Sequence, residues 1–516
     1  MRLQDILSRA AKFYGDRVAC VCGQERIRYG QFMDRVNRLA DGLLHRGIRR
    51  GERIAALLPN CHRFGELYLA TAKLGAALVP LNMRLSSQDL IRLIRNSEAV
   101  GLVAASQFQE TLRAMAGALS ELRFRIGWGL QEEGFEEYEK MMAASSPRWI
   151  DSDFDDGEVA IQMYTSGTTG APKGVLLTHR NLIANTLTGI FERRFSCQDV
   201  FLNAAPMYHI ADLEYFLQIL SVGGINVFID RFEPLRFLEA VQSQKVTCTW
   251  IVPTMIHDLL ACPDLGRYNT RSLRVIYYGG ANLSPGLFWK ARKAFSCQFS
   301  LGFGLTEASP IISMLRPEDH ESEEVERLLR SCGRPAFNVE IRIVDEQGRE
   351  LPRGQVGEIA VRGPNVMRGY WRLDEETQKT LRGGWLHTGD LARMDEEDFI
   401  FLVDRKKDMI KSGGENIFSS EVEEAIRSHP AVKEVAVIGV PDERWGEAVK
   451  AIILLKEGIP CSEKDILEYC YRNLAGFKQP KSVTFVSSLP RNITGKVLKT
   501  ELRKIYGGGI QANDGL

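Results

Sequence analysis

Thr165-Ser166-Gly167-Thr168-Thr169-Gly170-Ala171-Pro172-Lys173-Gly174 follows directly on an apolar run at residues 159–164. A stretch of glycines, hydroxyl side chains and one lysine has no apolar surface to bury. It can instead turn backbone N–H groups inward, with glycines taking positive φ where a Cβ would clash, and so build a concave anion site. The hydroxyls and the Lys173 ammonium add donors and charge, which points to a polyphosphate ligand. Loops of this composition also serve as plain connections, so the rest of the chain has to decide. A Walker loop needs Gly-Lys followed at once by Ser or Thr. Here Pro172 precedes Lys173 and Gly174 follows it, and that reading fails.

Four further segments carry chemistry. In Gly302-Phe303-Gly304-Leu305-Thr306-Glu307 an aromatic face can stack on a base, Gly304 lets backbone approach, Thr306 can donate, and Glu307 offers a hard oxygen for Mg²⁺. By itself such a Thr-Glu is more often a helix N-terminus. Trp385-Leu386-His387-Thr388-Gly389-Asp390 places a carboxylate at a loop end, able to accept from two hydroxyls; an isolated Gly-Asp reads as an Asx-turn. Asp404-Arg405-Lys406-Lys407-Asp408 reads as a solvated charge run. Pro490-Arg491-Asn492-Ile493-Thr494-Gly495-Lys496 holds a lysine that, alone, would be an exposed bystander.

Taken in this order, the segments resemble the signatures of the adenylate-forming superfamily, which includes acyl-CoA synthetases, peptide-synthetase adenylation domains and beetle luciferases. The resemblance spans residues 5–505. It implies ATP or AMP binding by Thr165, Ser166, Gly167, Thr168, Thr169, Gly170, Lys173, Gly280, Ala281, Asn282, Phe303, Gly304, Thr306, Asp390, Arg405 and Lys496. Glu307 and Thr165 are then expected at Mg²⁺, and Lys496, His209 and Thr306 as catalytic groups. Phe303 stands where the family usually has tyrosine. Lys407 falls at the family's domain hinge. Gly413, Gly414, Trp445 and Phe477 fall where members contact coenzyme A, while Gln479 replaces an arginine of certain relatives. Pro206-Met207-Tyr208-His209 resembles the Pro-x-x-His element of the acyl-CoA synthetases. The implied reaction activates a carboxylic acid to acyl-AMP and passes it to the coenzyme A thiol. Loading of a carrier-protein pantetheine is the alternative. A non-catalytic nucleotide-binding paralogue would require loss of Lys496, Glu307 or Asp390, and all three are present.

The bulk properties agree. A chain of 516 residues is too long for one core, so at least two domains are expected. Lys+Arg and Asp+Glu are both 66, which argues against a nucleic-acid-binding surface on the scale of the whole protein. The ten cysteines show no Cys-x-x-Cys spacing and read as reduced thiols of a cytoplasmic protein. The first residues are too charged for a secretory signal. No apolar run approaches the about 20 residues that span a bilayer, which leaves peripheral membrane contact and oligomeric state open.

Residues 32–46 read as a helix with Val36, Leu39, Leu43 and Leu44 on one face, residues 53–58 and 76–80 as strands, and residues 67–74 as a helix between them. This rhythm predicts parallel βαβ units. Residues 145–157 read as a linker and 318–330 as a charged surface helix. After a strand at 399–403, Ser420 and Glu423 sit near capping-box spacing, and a helix, two strands and a helix follow to residue 474. The fold class is α/β: a large N-terminal AMP-binding region of layered α/β subdomains, 1–404, and a small mobile α+β lid, 405–516, carrying the catalytic lysine.

The acyl pocket is expected from Tyr208, His209, Asp212, Trp250, Tyr278, Gly279 and Gly280. Its apolar and aromatic character suits a fatty or aryl acid. Asp212 and Glu214 are anomalous there. Either both face solvent, or Asp212 faces the pocket and pairs with a cationic acid of the carnitine or crotonobetaine type.

Overall fold

The computed structural model describes residues 1–148, 150, 153–165, 172–491 and 497–507. It divides into two compact units, Met1–Ile341 with Val361–His387, and Arg342–Ala360 with Thr388–Leu516. Compactness therefore changes hands earlier than residue 404. The strand Ile400–Arg405, which leads into the charge run, pairs antiparallel with Asp390 to Met394, so the segment before the run already belongs to a sheet of the second unit.

Among the described residues the first unit is built on two sheets, of nine and eight strands. In the larger, Gln298–Gly304, Val275–Gly279, Cys248–Ile251, Val200–Asn203, Ile225–Phe228 and Val18–Cys22 lie side by side in parallel. In the smaller, Val159–Thr165, Ala77–Pro80, Arg53–Leu57, Ala99–Ala105 and Phe124–Trp128 do the same. Parallel strands need crossover helices that cover both faces, and Ala77–Pro80 is buried at every position.

The helix His62–Lys73 packs against strands of both sheets, and each of its residues is buried. Ile210–Val222 lies on the larger sheet. The two helices meet where a Cβ on Gly65 would come within 2.4 Å of the Phe216 ring, so only glycine lets them approach this closely. Phe32 adds an edge-on ring 6.3 Å from Phe216.

The expected helix at 32–46 runs as Tyr29–His45, with Val36, Leu39 and Leu43 buried; Leu44 leaves the stripe and is 41% exposed. The charged segment 318–330 is not one surface helix. It forms two short turns, Glu318–Glu321 and Val325–Leu328. Asp319 and His320 are buried there, because Asp319 pairs with Arg334 at 2.8 Å and His320 bridges Tyr278 and the Arg316 carbonyl.

In the second unit, Glu415–Ile417, Ile410–Ser412, Gly446–Leu455 and Val432–Asp442 form a sheet, with Ser482–Phe485 parallel to Gly446–Leu455. Ile410, Val422, Ile426, Val437 and Ile466 lie in its core. The helix Ser419–Arg427 starts as expected, but not through a capping box. Asp404 accepts from the Ser419 hydroxyl at 2.7 Å and the Ser420 N–H at 3.3 Å, while Glu423 accepts from the Val437 N–H at 2.8 Å. Among the described residues no helix is long and apolar enough to cross a membrane.

Four histidines, His62, His179, His209 and His320, make the first unit acid-sensitive because burial lowers their imidazoles, and two of them are held by ring hydrogen bonds. His179 Nδ1 accepts from the Leu3 N–H at 3.1 Å. His320 Nδ1 donates to the Arg316 carbonyl at 2.8 Å, which leaves Nε2 to accept from Tyr278 at 2.9 Å. Burial lowers both imidazoles to about 4. Between about pH 6.5 and 4 the unfolded chain binds these protons and the folded chain does not, so the histidines' contribution to stability falls as pH drops through that window and is constant above it. His320→Gln should narrow the difference between urea midpoints at pH 7 and pH 5. An unchanged difference would remove His320 from the account.

Candidate active site

The strands Val159–Thr165 and Lys173–Thr178 form an antiparallel pair that ends at Thr165 opposite Lys173. The segment joining them, with Ser166, Gly167, Thr168, Thr169 and Gly170, lies outside the described residues, as does Lys496. The base of the loop is braced from one side: Arg53 Nε donates to Gln162 at 3.1 Å, Gln162 to the Tyr164 hydroxyl at 2.9 Å, and Tyr164 to Asn96 at 2.6 Å. From the other side the short strand Gly369–Tyr370 pairs with Leu176 and Val175. Lys173 then lies 5.0 Å from the centre of the Tyr370 ring and ion-pairs with Glu376. The Tyr370 hydroxyl donates to Glu307 Oε1 at 2.8 Å. Burial and the neighbouring Glu307 carboxylate push this phenol upward, so it stays a donor.

Glu307 is held by backbone geometry. A Cβ on Gly304 would sit 1.8 Å from the Pro310 carbonyl oxygen, and the Leu305 N–H donates to that same oxygen at 3.0 Å. The Asn365 amide donates to the Ala308 and Ile311 carbonyls at 2.8 and 3.1 Å, and Asn185 reaches the same two oxygens. Asn181 holds the Pro364 and Val366 carbonyls at 2.8 and 2.7 Å. The Met367 N–H donates to the Glu307 carbonyl at 2.8 Å. Sequence reasoning missed Tyr370 and the three asparagines. Their signal is tertiary, since the asparagines satisfy carbonyls, and Tyr370 a carboxylate, of distant segments.

Among the described residues no group of three or more Asp, Glu, His or Cys side chains could cage a metal. Mg²⁺ binds through one or two carboxylates together with substrate phosphates and water. Glu307, half-buried beside the phosphate-loop strand, is the carboxylate expected there. Asn282, expected at the nucleotide, donates its amide to the Leu329 and Ser331 carbonyls at 3.1 and 3.2 Å, which anchors the segment after Gly279. Gly280 takes φ +78, a conformation that glycine adopts without strain.

At the carboxyl ends of the parallel strands, where open α/β sheets bind ligands, Trp250 pairs with Tyr277, Ile251 with Tyr278, and Gly279 with Gly302. Period-two alternation therefore puts Trp250, Tyr277, Gly279 and Gly302 on one face. The expected pocket residues therefore do not share one face: the Tyr278 side chain is on the opposite face, bonded to His320, and Tyr277 is the tyrosine paired with Trp250. His209 precedes the helix Ile210–Val222 with its ring 4.6 Å from that of Tyr208. Burial, then Arg84, lowers its imidazole to about 4, so it acts as a neutral hydrogen-bonding group at pH 7. Asp212 and Glu214 do not face solvent. Both are buried, and desolvation raises both carboxyls well above the usual range. Glu214 accepts from Thr186 at 3.0 Å; neither Asp212 oxygen has a partner.

In the second unit Asp390 lies opposite Arg405, with Nε 3.2 Å from Oδ1. Glu358, also missed, braces this pair by accepting from the Gly389 N–H at 3.0 Å and from Lys406 at 3.1 Å. Gly413 and Gly414, at φ +59 and +85, form the two-residue hairpin turn between Ser412 and Glu415. A Cβ on Gly413 would meet the Trp445 ring at 2.8 Å, and the Gly413 N–H donates to the Trp445 carbonyl at 2.8 Å. Phe477 sits in the turn beside Glu415–Ile417. Gly413, Gly414, Trp445 and Phe477 thus gather at one edge, with Trp445 38% and Phe477 44% exposed. Gln479 is tied to the Leu474 carbonyl at 3.0 Å.

The family model described as AMP-binding enzyme matches residues 7–371, and that described as AMP-binding enzyme C-terminal domain matches 421–496. The chain belongs to the AMP-binding enzyme family. A feruloyl-CoA synthase of Amycolatopsis sp is 37% identical to this AMP-binding enzyme over 97% of the chain and 98% of the relative. The fatty acid–[acyl-carrier-protein] ligase ScoC of Streptomyces coeruleorubidus is 33% identical over 95% and 93%. The structure of ATP-bound MatB from Rhodopseudomonas palustris superposes with TM-score 0.87 at 31% identity, covering 98% of this chain and 99% of that one.

Gly304→Ala in this AMP-binding enzyme should force the Leu305–Pro310 turn open. Overpacking of this kind costs about 1–3 kcal/mol or more, read as a lower melting temperature. A variant as stable as the parent would show that the turn yields without consequence.

Proposed function

We propose that this AMP-binding enzyme is an acyl-CoA synthetase for an aryl acid, working through the residues gathered at the base of the phosphate loop. The chain is an AMP-forming acid–thiol ligase that uses ATP, Mg²⁺ and coenzyme A. A carboxylate oxygen attacks the α-phosphorus of ATP, the bond to the bridging oxygen of pyrophosphate breaks, and acyl-AMP forms. The coenzyme A thiol then attacks the acyl carbon and AMP leaves. The observation that carries this reading is the convergence of Lys173, Tyr370 and Glu307 beside the strand that ends at Gly304.

Negative charge builds on the phosphorus as attack proceeds, and preorganised donors lower that barrier. Lys173 and the Thr306 hydroxyl are the described donors, with Lys496 as the added cation. Mg²⁺ held by Glu307 and phosphate oxygens would neutralise charge on the departing pyrophosphate. Asp390 takes the ribose hydroxyls, oriented by Arg405. Gly413 and Gly414, backed by Trp445 and Phe477, take the pantetheine arm, and Lys407 is the hinge that exchanges the two half-reactions. The aromatic face of Trp250 and Tyr277, and the relative named for feruloyl-CoA, favour an aryl acid over a saturated chain. A betaine-type acid has less support, because burial pushes the Asp212 carboxyl well above the usual range and so disfavours the charged form it would need. ScoC is named for a carrier-protein acceptor; CoA-dependent AMP release separates the two acceptors.

Lys496→Ala should slow ATP–pyrophosphate exchange by on the order of 100- to 1000-fold while sparing thioester formation from preformed acyl-AMP. Gly413→Ala and Lys407→Pro should show the opposite split. Equal losses in both half-reactions for all three variants would overturn the division of labour.

A further inference from the structure

The helix His179–Arg193 ends on an arginine that no part of this reaction uses. Arg193 is only 4% exposed. Its Nε donates to the Tyr215 hydroxyl at 2.9 Å and its Nη1 to Gln218 at 3.2 Å. The guanidinium lies 4.3 Å from the Tyr215 ring centre and 5.3 Å from that of Tyr277. The described structure records no salt bridge to it. Glu214, the nearby carboxyl, is bonded to Thr186 rather than to the guanidinium, and burial raises it well above the usual carboxylate range. A buried cation left without a counter-ion costs several kcal/mol, and that cost calls for a reason.

Nη2 has no hydrogen-bond partner, and it faces the strand-end wall. A Cβ built on Gly302 would find a single atom within 4 Å, Arg193 Nη2 at 3.5 Å. Gly302 pairs with Gly279 on the same face as Trp250 and Tyr277; the Trp250 ring fills the space over Gly279, whereas the space over Gly302 opens onto a free guanidinium nitrogen. Tyr215 and Gln218 fix that nitrogen in place. A glycine at 302 leaves room for a ligand atom where a side chain would otherwise meet the cation.

We propose that Arg193 reads an oxygen acceptor at the far end of the acid, making it a specificity-determining residue. This rests on the acyl-CoA synthetase reading above. The reach follows from the elements. Gly302 is two residues from Gly304 along a strand, about 7 Å, and Tyr215 is six residues from His209, about 9 Å of helix rise. The acceptor oxygen thus stands roughly 7–9 Å from the reacting carboxylate. A ring hydroxyl on an aryl acid and the second carboxylate of a diacid share this chemistry, and the test separates them.

The experiment is ATP–pyrophosphate exchange and CoA-dependent AMP release with matched acids: 4-hydroxycinnamate against 4-methylcinnamate, and octanedioate against nonanoate. In the parent enzyme the oxygen-bearing member of one pair should exceed its methyl partner in kcat/KM by on the order of 100-fold or more, since a site built around a polar contact rejects the analogue lacking it. Arg193→Met should erase that ratio and leave the methyl acid within a few-fold. Arg193→Lys should restore part of it. Equal use of both members in the parent enzyme would overturn the proposal, even if the variants fail to fold. An equal loss on both members in a variant with the parent's melting temperature would also overturn it, by making Arg193 structural. If no acid supports exchange at all, the acyl-CoA synthetase reading falls and this inference falls with it.

Discussion

The carbonyl groups beyond the end of the strand Gln298–Gly304 must find donors once its parallel ladder stops, and everything at the nucleotide side follows from how they do. Buried backbone oxygens left alone are costly. Asn185 and Asn365 satisfy those of Ala308 and Ile311, and the Leu305 N–H turns back to Pro310. This closes a turn so tight that residue 304 has no room for a side chain. Glu307 rides on that turn. Its carboxylate meets Tyr370, which the phosphate-loop strand has brought over by pairing with Gly369–Tyr370.

The acyl side is governed by desolvation. His209, Asp212 and Glu214 are all driven toward their neutral forms by burial. Arg193 cannot follow, because a guanidinium does not give up its proton in a protein. Arg193 therefore keeps its charge beside carboxyls that burial pushes toward neutrality, and ring faces and hydroxyls only partly replace its lost hydration. Such an arrangement suits an acid whose distal end supplies the missing acceptor.

The second unit solves a different problem with small residues. Its Gly413–Gly414 turn needs positive φ twice, and Trp445 occupies the space that a Cβ would claim. Asp390, Arg405 and Glu358 meet because three strands share a sheet, and the compact unit begins before the charge run for the same reason.

By itself the sequence determined the family and, through that resemblance, the two-step chemistry, because segments that each have a bland reading alone follow one another in the family's order. It also showed which runs are buried strands. It could not say that Tyr277 rather than Tyr278 stands beside Trp250, since a one-residue difference in a strand reverses the face and only the paired register decides it. Nor could it show that Asp212 and Glu214 are buried, that 318–330 breaks into two turns around His320, or that Arg193 ends against Gly302. Local patterns record what a residue can do. The charge, burial and partners of a side chain come from segments a hundred residues away, and only the folded sheets and helices bring those together.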